Sequence, residues 1–168
     1  MGMDRTIRTA SESDIPGIMT VISAAREMMR RSGNPFQWPE GYPSREMIGR
    51  DIASGAGRVL EDDGVIVGYF AFIPSPEPAY SVIDEGEWLD DSLPYHVIHR
   101  MASVPDVHGV FRSIMDWCLA RERNIRIDTH RDNRVMQHCL RRAGFTYCGI
   151  IHLANGEERL AYQHIVML

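Results

Sequence analysis

The sequence predicts a mixed α/β fold, with a central mixed sheet of about seven strands flanked by about four helices, in a single domain over residues 1–168. Three observations carry that expectation. Apolar residues recur at helical spacing in separate segments, short β-rich runs fall between them, and Asp-Gly and Asn-Gly pairs mark an early and a late hairpin. Hairpins require antiparallel pairing, whereas the strand–helix–strand units of the later half require some parallel pairing, so the sheet is mixed.

Thr6 to Ala10 reads as a short strand. Ser11-x-x-Asp14 then forms a capping pattern, and Pro16 falls in the first helical turn, where a missing N–H costs little. Ile15, Ile18, Met19, Ile22, Ala25 and Met29 share one helical face, and Gly33 ends that helix. Asn34 to Pro43 holds Phe36, Trp38 and Tyr42 between prolines and Gly41, and reads as an aromatic loop. Ser44 caps a shorter helix carrying Met47, Ile48 and Ile52, which stops near Gly55 to Gly57.

Arg58 to Glu61 and Val65 to Ile73 form a hairpin around Asp62-Asp63-Gly64, and Pro74, Pro76 and Pro78 end the second strand. Tyr80 to Pro94 is acidic, carries Trp88, and is long for a connection; a functional loop, a disordered one and an added short helix are all open readings. Tyr95 to Ser103 is another strand, stopped by Pro105. Gly109 to Arg123 is helical by period, Ile125 to Thr129 is a strand, and Asn133 caps a helix through Arg142 that closes at Ala143-Gly144. Tyr147 to Leu153 and Arg159 to Met167 flank Asn155-Gly156. The order is β α α β β β α β α β β.

Composition removes whole classes of chemistry. All 18 basic residues are Arg and none is Lys, which excludes Schiff-base enzymes, pyridoxal-phosphate enzymes and P-loop nucleotidases. The 3 cysteines, Cys118, Cys139 and Cys148, fit neither a disulfide framework nor a zinc ribbon and read as thiols of a reducing cytoplasm. A net charge of −5 argues against nucleic acid as a partner. No apolar run reaches the ~20 residues of a membrane span, and the start lacks the charged-then-apolar pattern of a secretory signal. Met1-Gly2 with Thr6 fits a myristoylation pattern formally, but no basic patch accompanies it. Charge is unevenly spread: Glu61 to Asp91 contains carboxylates and no Arg, whereas Arg121 to Arg142 is rich in Arg.

The element order, together with IHRMASVPD and NIRIDTHRDNRVMQHCLRRAGFTYCG, resembles the GNAT superfamily of N-acetyltransferases over nearly the whole chain. The resemblance implies a GNAT-like acyl-CoA N-acyltransferase fold and acetyl-CoA as co-substrate. In that family the fourth strand lies beside the cofactor, which puts backbone N–H groups of Met101, Ala102 and Ser103 near the acetyl carbonyl, where fixed donors stabilise developing negative charge. The family's R/Q-x-x-G-x-G/A pyrophosphate turn corresponds to His108-Gly109-Val110-Phe111-Arg112. Here it has a single glycine and is shortened, with Arg112 and His108 as charge partners. Asn133 matches the family's helix-start Asn beside the pantetheine arm. Leu140 stands where many members place the Tyr that returns a proton to the leaving thiolate.

His99 occupies a position where some members carry a base, and an imidazole suits deprotonation of an ammonium nucleophile. A strand histidine bonded to its neighbours is the competing reading. His96 has the opposite strand parity, so at most one of the two faces the cleft. Tyr162 and Tyr147 are alternative proton donors or core residues. Trp38, Tyr42 and Trp88 are candidate walls of an amine pocket or staples for long loops, and Glu87, among Glu85, Asp90 and Asp91, is a candidate for a cationic acceptor. Arg131, Arg134, Arg141 and Arg142 are candidates for coenzyme phosphates. Asp128-x-His130 is a two-ligand metal pattern without a third ligand, and no metal is expected. The expected function is acetyl transfer to a small cationic amine. The alternative is a degenerate member that binds a ligand or partner without transferring an acyl group. Pairing as a homodimer is common in the family.

Overall fold

The computed structural model describes residues 4–166. Met1-Gly2, of the myristoylation pattern, and Met167, at the end of the last expected strand, lie outside the described residues. The elements are β1 (Arg5–Thr9), α1 (Ile15–Arg31), α2 (Arg45–Ala53), β2 (Gly57–Asp62), β3 (Val65–Pro74), β4 (His96–Ser103), α3 (Val110–Leu119), β5 (Asn124–Thr129), α4 (Arg134–Arg142), β6 (Thr146–His152) and β7 (Glu158–Ile165). They follow the predicted order and form one sheet in the order β1-β2-β3-β4-β5-β7-β6. Among the described residues only β4 and β5 pair in parallel. No helix among the described residues is long and apolar enough to cross a membrane.

Local chemistry explains the element ends. At the start of α1 the Ser11 N–H donates to Asp14 Oδ2 at 2.8 Å, and Arg8 donates to the same carboxylate. Ser44 Oγ caps α2 by accepting from the Met47 N–H, and Asn133 Oδ1 caps α4 from the Met136 N–H. The helix expected over Gly109 to Arg123 is shorter at its C-terminal end. Glu122 turns the chain back instead, accepting from the Asn124 N–H and meeting His96 Nδ1 at 3.0 Å, so that β5 begins at once.

α1 and α2 cover one face of the sheet through a core that includes Ile18, Ile22, Ile48, Val59 and Tyr69. α3 and α4 cover the other with Ile114, Cys118 and Leu140 against Phe70 and Ile127. The acidic stretch after β3 is neither disordered nor a helix of any length. A 3-10 turn at Pro78–Tyr80 leads into a loop that seals a third cluster of Tyr80, Trp88, Val97, Cys148, Ile151 and Ala161. Fully buried Arg126 anchors this loop: its guanidinium lies 4.0 Å from the ring centres of both Trp88 and Tyr95, and donates to Asp91 Oδ1 at 2.9 Å.

Two irregularities in β4 create the space that matters. β4 meets β5 only at His96↔Ile125 and Val97↔Arg126, after which the two strands separate. Against β3, the register jumps between Tyr69↔Ala102 and Ala71↔His99, and Arg100 in the bulge takes a left-handed φ of 55°. That conformation is unfavourable for a non-glycine residue. It is held by Asp51 of α2, which accepts from Arg100 Nε at 2.8 Å and from the Tyr69 hydroxyl at 2.7 Å.

Candidate functional site

The separation of β4 from β5 leaves two adjoining clefts that share Met29, Met101, Asn133 and Met136 on their walls. The first, of about 220 Å³, runs between α1, the end of β4 and the starts of α3 and α4. Met28, Ala102, Ser103, Val110 and Phe111 line it. Val104 N–H bonds Val67 O at 3.0 Å, and the register opposes Ala102 to Tyr69. Alternation then commits the N–H groups of Ala102 and Val104 to β3 and turns those of Met101 and Ser103 toward the gap left by β5.

The first cleft ends at the N-terminus of α3. Gly109, at φ 78°, turns the chain into the helix, and Ser113 N–H is the first to reach back, to Gly109 O. The N–H groups of Val110, Phe111 and Arg112 therefore have no acceptor within the helix and sit at its positive end. Phe111 is half-buried in the wall and does not fill the cleft. His108 and Arg112 are exposed, as are Arg131, Arg141 and Arg142, and of that Arg cluster only Arg134 lines the cleft.

The second cleft, of about 560 Å³, holds His99, Arg100, Trp38 and Tyr42, with Asp128 and Glu157 across from them. The bulge lets His99 and Arg100, neighbours in sequence, both line it. His99 Nε2 lies 3.2 Å from Glu77 Oε2, and Glu77 Oε1 accepts from the Ala79 N–H. The bond to His99, followed by its charge, lowers the Glu77 carboxyl below its usual range against the cost of burial. Ionised Glu77 can only accept, so His99 Nε2–H is the donor to it, and in the neutral ring the lone pair lies on Nδ1. His96 is turned to the other face, stacked on Phe72. Asp128 Oδ2 accepts from the Tyr80 hydroxyl at 2.6 Å, and burial, with Asp128 beside it, raises the Tyr80 pKa.

Several expected residues lie elsewhere. Tyr162 is buried in the core under α4, its hydroxyl without a hydrogen-bond partner among the described residues, and Tyr147 lies on the outer side of β6, 43% exposed; neither lines either cleft. Trp88 packs on Arg126 and donates its Nε1–H to Tyr80 O, so it staples the acidic loop and does not wall a pocket. Glu87 is exposed on that loop, away from both clefts, because the loop folds onto β6 and β7. Leu140 is fully buried. His130 Nδ1 accepts from the Asp132 N–H, and no group of three metal-binding side chains gathers among the described residues.

The structure also adds residues. Gln37 reaches across the junction of the clefts, its Oε1 accepting from Asn133 Nδ2 at 3.0 Å and from Asn34 Nδ2 at 2.9 Å. Glu77 and Arg100 were not singled out by sequence. The sole hint for Glu77 is a carboxylate held between Pro76 and Pro78, and no pattern tells that this segment folds back on residue 99.

No family model and no curated protein matches the sequence. Solved structures do. An acetyltransferase of the GNAT family from Streptococcus agalactiae is 34% identical over 100% of this chain and 99% of its own, with a TM-score of 0.89. A GNAT family acetyltransferase from Listeria monocytogenes shares the fold at 17% identity and a TM-score of 0.71, over 99% of both chains. A ribosomal-protein-alanine N-acetyltransferase from Brucella melitensis does so at 17% and 0.61, over 96% of this chain and 99% of its own. These likenesses set the fold, with its sheet opened between the fourth and fifth strands, among the acetyltransferases. The chain belongs to the GNAT family of acetyltransferases.

Proposed function

We propose that this protein transfers the acetyl group of acetyl-CoA to a small cationic amine by direct attack. The observation that carries this reading is that the two clefts adjoin, with Met101 and Asn133 in the walls of both. An acyl donor in one and an amine in the other would meet beside the backbone of β4. The first cleft suits the donor: its thioether and apolar walls match a pantetheine chain, and the free N–H groups of residues 110–112 match a diphosphate. Asn133 Nδ2, now on Gln37, would be offered to a pantetheine amide.

In the second cleft the carboxylates Glu77, Asp128 and Glu157 face Arg159, while the charge of Arg100 is neutralised by Asp51. That balance and the rings of Trp38 and Tyr42 favour a cationic acceptor. His99 takes a proton from the acceptor ammonium at Nδ1, with Glu77 fixing the ring. The amine nitrogen bonds to the thioester carbonyl carbon, and the N–H groups of Met101 and Ser103 bear the growing negative charge on oxygen. The carbonyl re-forms as the C–S bond breaks with its electron pair on sulfur, and the second proton of the attacking nitrogen passes to solvent. The buried position of Leu140 leaves solvent water to protonate the thiolate.

Isothermal titration with acetyl-CoA, followed by turnover on a panel of monoamines, diamines and amino acids, tests the reading. Binding and transfer to a cationic amine are expected, and His99→Gln should lower kcat by roughly 10²–10⁴-fold. Absence of heat at millimolar acetyl-CoA would remove the enzyme reading. Binding without transfer to any amine would leave a ligand-binding member of the family instead.

A further inference from the structure

Beyond the C-terminal end of α3, where β3 leaves the sheet and β4 enters it, lies another cleft of about 730 Å³ that shares only Ile73 with the acceptor pocket. Its floor is Trp117, held edge-on by Phe70 and Phe72 at centroid distances of 5.6 and 5.5 Å. Two guanidiniums converge on that ring, Arg121 at 3.9 Å from its centre and Arg58 at 5.6 Å.

The two cations lack an ion pair, as Arg26, Arg45, Arg50, Arg123, Arg134, Arg141 and Arg142 also do among the described residues. Only these two, however, converge on one aromatic ring lining a cleft. Arg5, Arg100, Arg126 and Arg159 each hold a carboxylate. On the rim of this cleft, Arg8 is held by Asp14 and Glu61, and His96 meets Glu122. Arg58 and Arg121 have no carboxylate within ion-pair distance among the described residues. Their protein hydrogen bonds run from one nitrogen each: Arg58 Nη1 to the carbonyls of Gly55 and Gly57, at 2.6 and 3.0 Å, and Arg121 Nη1 to Trp117 O at 3.0 Å. The remaining edges, Nε and Nη2 of each, have no protein acceptor among those residues. Arg58 is half-buried, and its pKa is lowered chiefly by burial, with Arg121 adding to the effect. A desolvated cation beside a like charge carries an uncompensated cost that a counter-anion removes.

We propose that this cleft is a second binding site, for a small molecule bearing an oxyanion group, phosphoryl or carboxylate, gripped between the free edges of Arg58 and Arg121 over Trp117. A guanidinium edge presents paired donors at the spacing of two anionic oxygens, and two such edges over one aromatic surface select an anion with a flat or carbon face. The site is separate from the cofactor cleft, with which it shares no residue, and meets the acceptor pocket at Ile73 alone.

Nuclear magnetic resonance of the intact protein tests it, following the Trp117 indole N–H and the Nε–H signals of Arg58 and Arg121. Inorganic pyrophosphate and citrate are titrated separately. Saturable shifts at these three residues are expected; a response to pyrophosphate alone assigns a phosphoryl ligand, and one to citrate alone a carboxylate. Arg121→Glu, at an exposed position that does not threaten the fold, should weaken binding by about tenfold or more. Arg58→Met should do the same if it folds. Trp117 and both arginines unmoved at tens of millimolar of either anion overturn the proposal. So does movement confined to the amides of Gly109 to Arg112, and so does unchanged binding in Arg121→Glu.

Discussion

His99 and Glu77 show how much a single contact decides. A strand histidine alone is an ordinary half-buried side chain; a carboxylate 3.2 Å from Nε2 fixes which tautomer the neutral ring takes, with its lone pair on Nδ1. Glu77 touches no substrate in the proposed reaction and acts by positioning. Glu77→Gln should therefore lower kcat about tenfold while leaving acceptor KM within about twofold. An unchanged kcat would assign Glu77 to the structure of its loop. A second residue sets acid stability. Asp14 is held at a pKa of about 2 against 3.8, above all by its bond to Arg8. A depressed carboxyl stabilises the fold above its unfolded pKa and loses that contribution as pH falls, here between 3.8 and about 2. Allowing for the solvent around Arg8, the contribution is about 1–2 kcal/mol. Urea melts over this range should show it, and Asp14→Asn should be weaker at neutral pH yet flatter through the window.

The elements followed their sequence signals closely, because each carries its own: a cap, a period, a glycine stop or an Asn-Gly turn. What failed to show in the sequence was how irregular segments fold back. Trp88, Glu87 and the other acidic residues read equally well as the rim of a pocket. That loop is directed onto β6 and β7 by the Asp84–Ile150 pairing, by Gln163 bonded to Leu89 and Asp90, and by the burial of Arg126 between Trp88 and Tyr95. A lone Arg or Gln inside an apolar strand announces no partner. The same holds for Tyr147 and Tyr162, whose residue type suits a proton donor but whose register turns them from the gap. Gly86 is the tightest point of the docked loop, since a Cβ there would collide with the Cys148 carbonyl oxygen. Gly86→Ala should cost about 3 kcal/mol or more, a fall in Tm of roughly 6–12 °C. A thermal melt within about 2 °C of the parent would mean that the loop is only loosely seated.

The molecule as a whole is two half-sheets, β1 to β4 and β5 with β7 and β6, joined by a parallel contact of two residue pairs. Everything proposed for acetyl transfer depends on that short seam, and amide hydrogen exchange reads it directly. Met101 and Ser103 lie in a mid-sheet strand, yet their amides should exchange like loop amides while Ala102 and Val104 are protected. Acetyl-CoA should slow the first pair selectively; equal protection of all four in the free protein would mean that the gap is closed in solution. The fold class and the cleft-lining stretch of β4 were readable because they rest on local pattern. The bulge at Arg100 was not, because it depends on Asp51 in a helix nearly fifty residues earlier.

The surface carries one further practical consequence. Every strong cation on it is a guanidinium, so no side chain offers a primary amine. An acetyl-transfer catalyst of this composition has no side-chain amine of its own to acetylate, whatever its proximity to a charged thioester. Disappearance of acceptor can accordingly be followed with amine-reactive dyes at high catalyst concentration, with side chains adding nothing to the background.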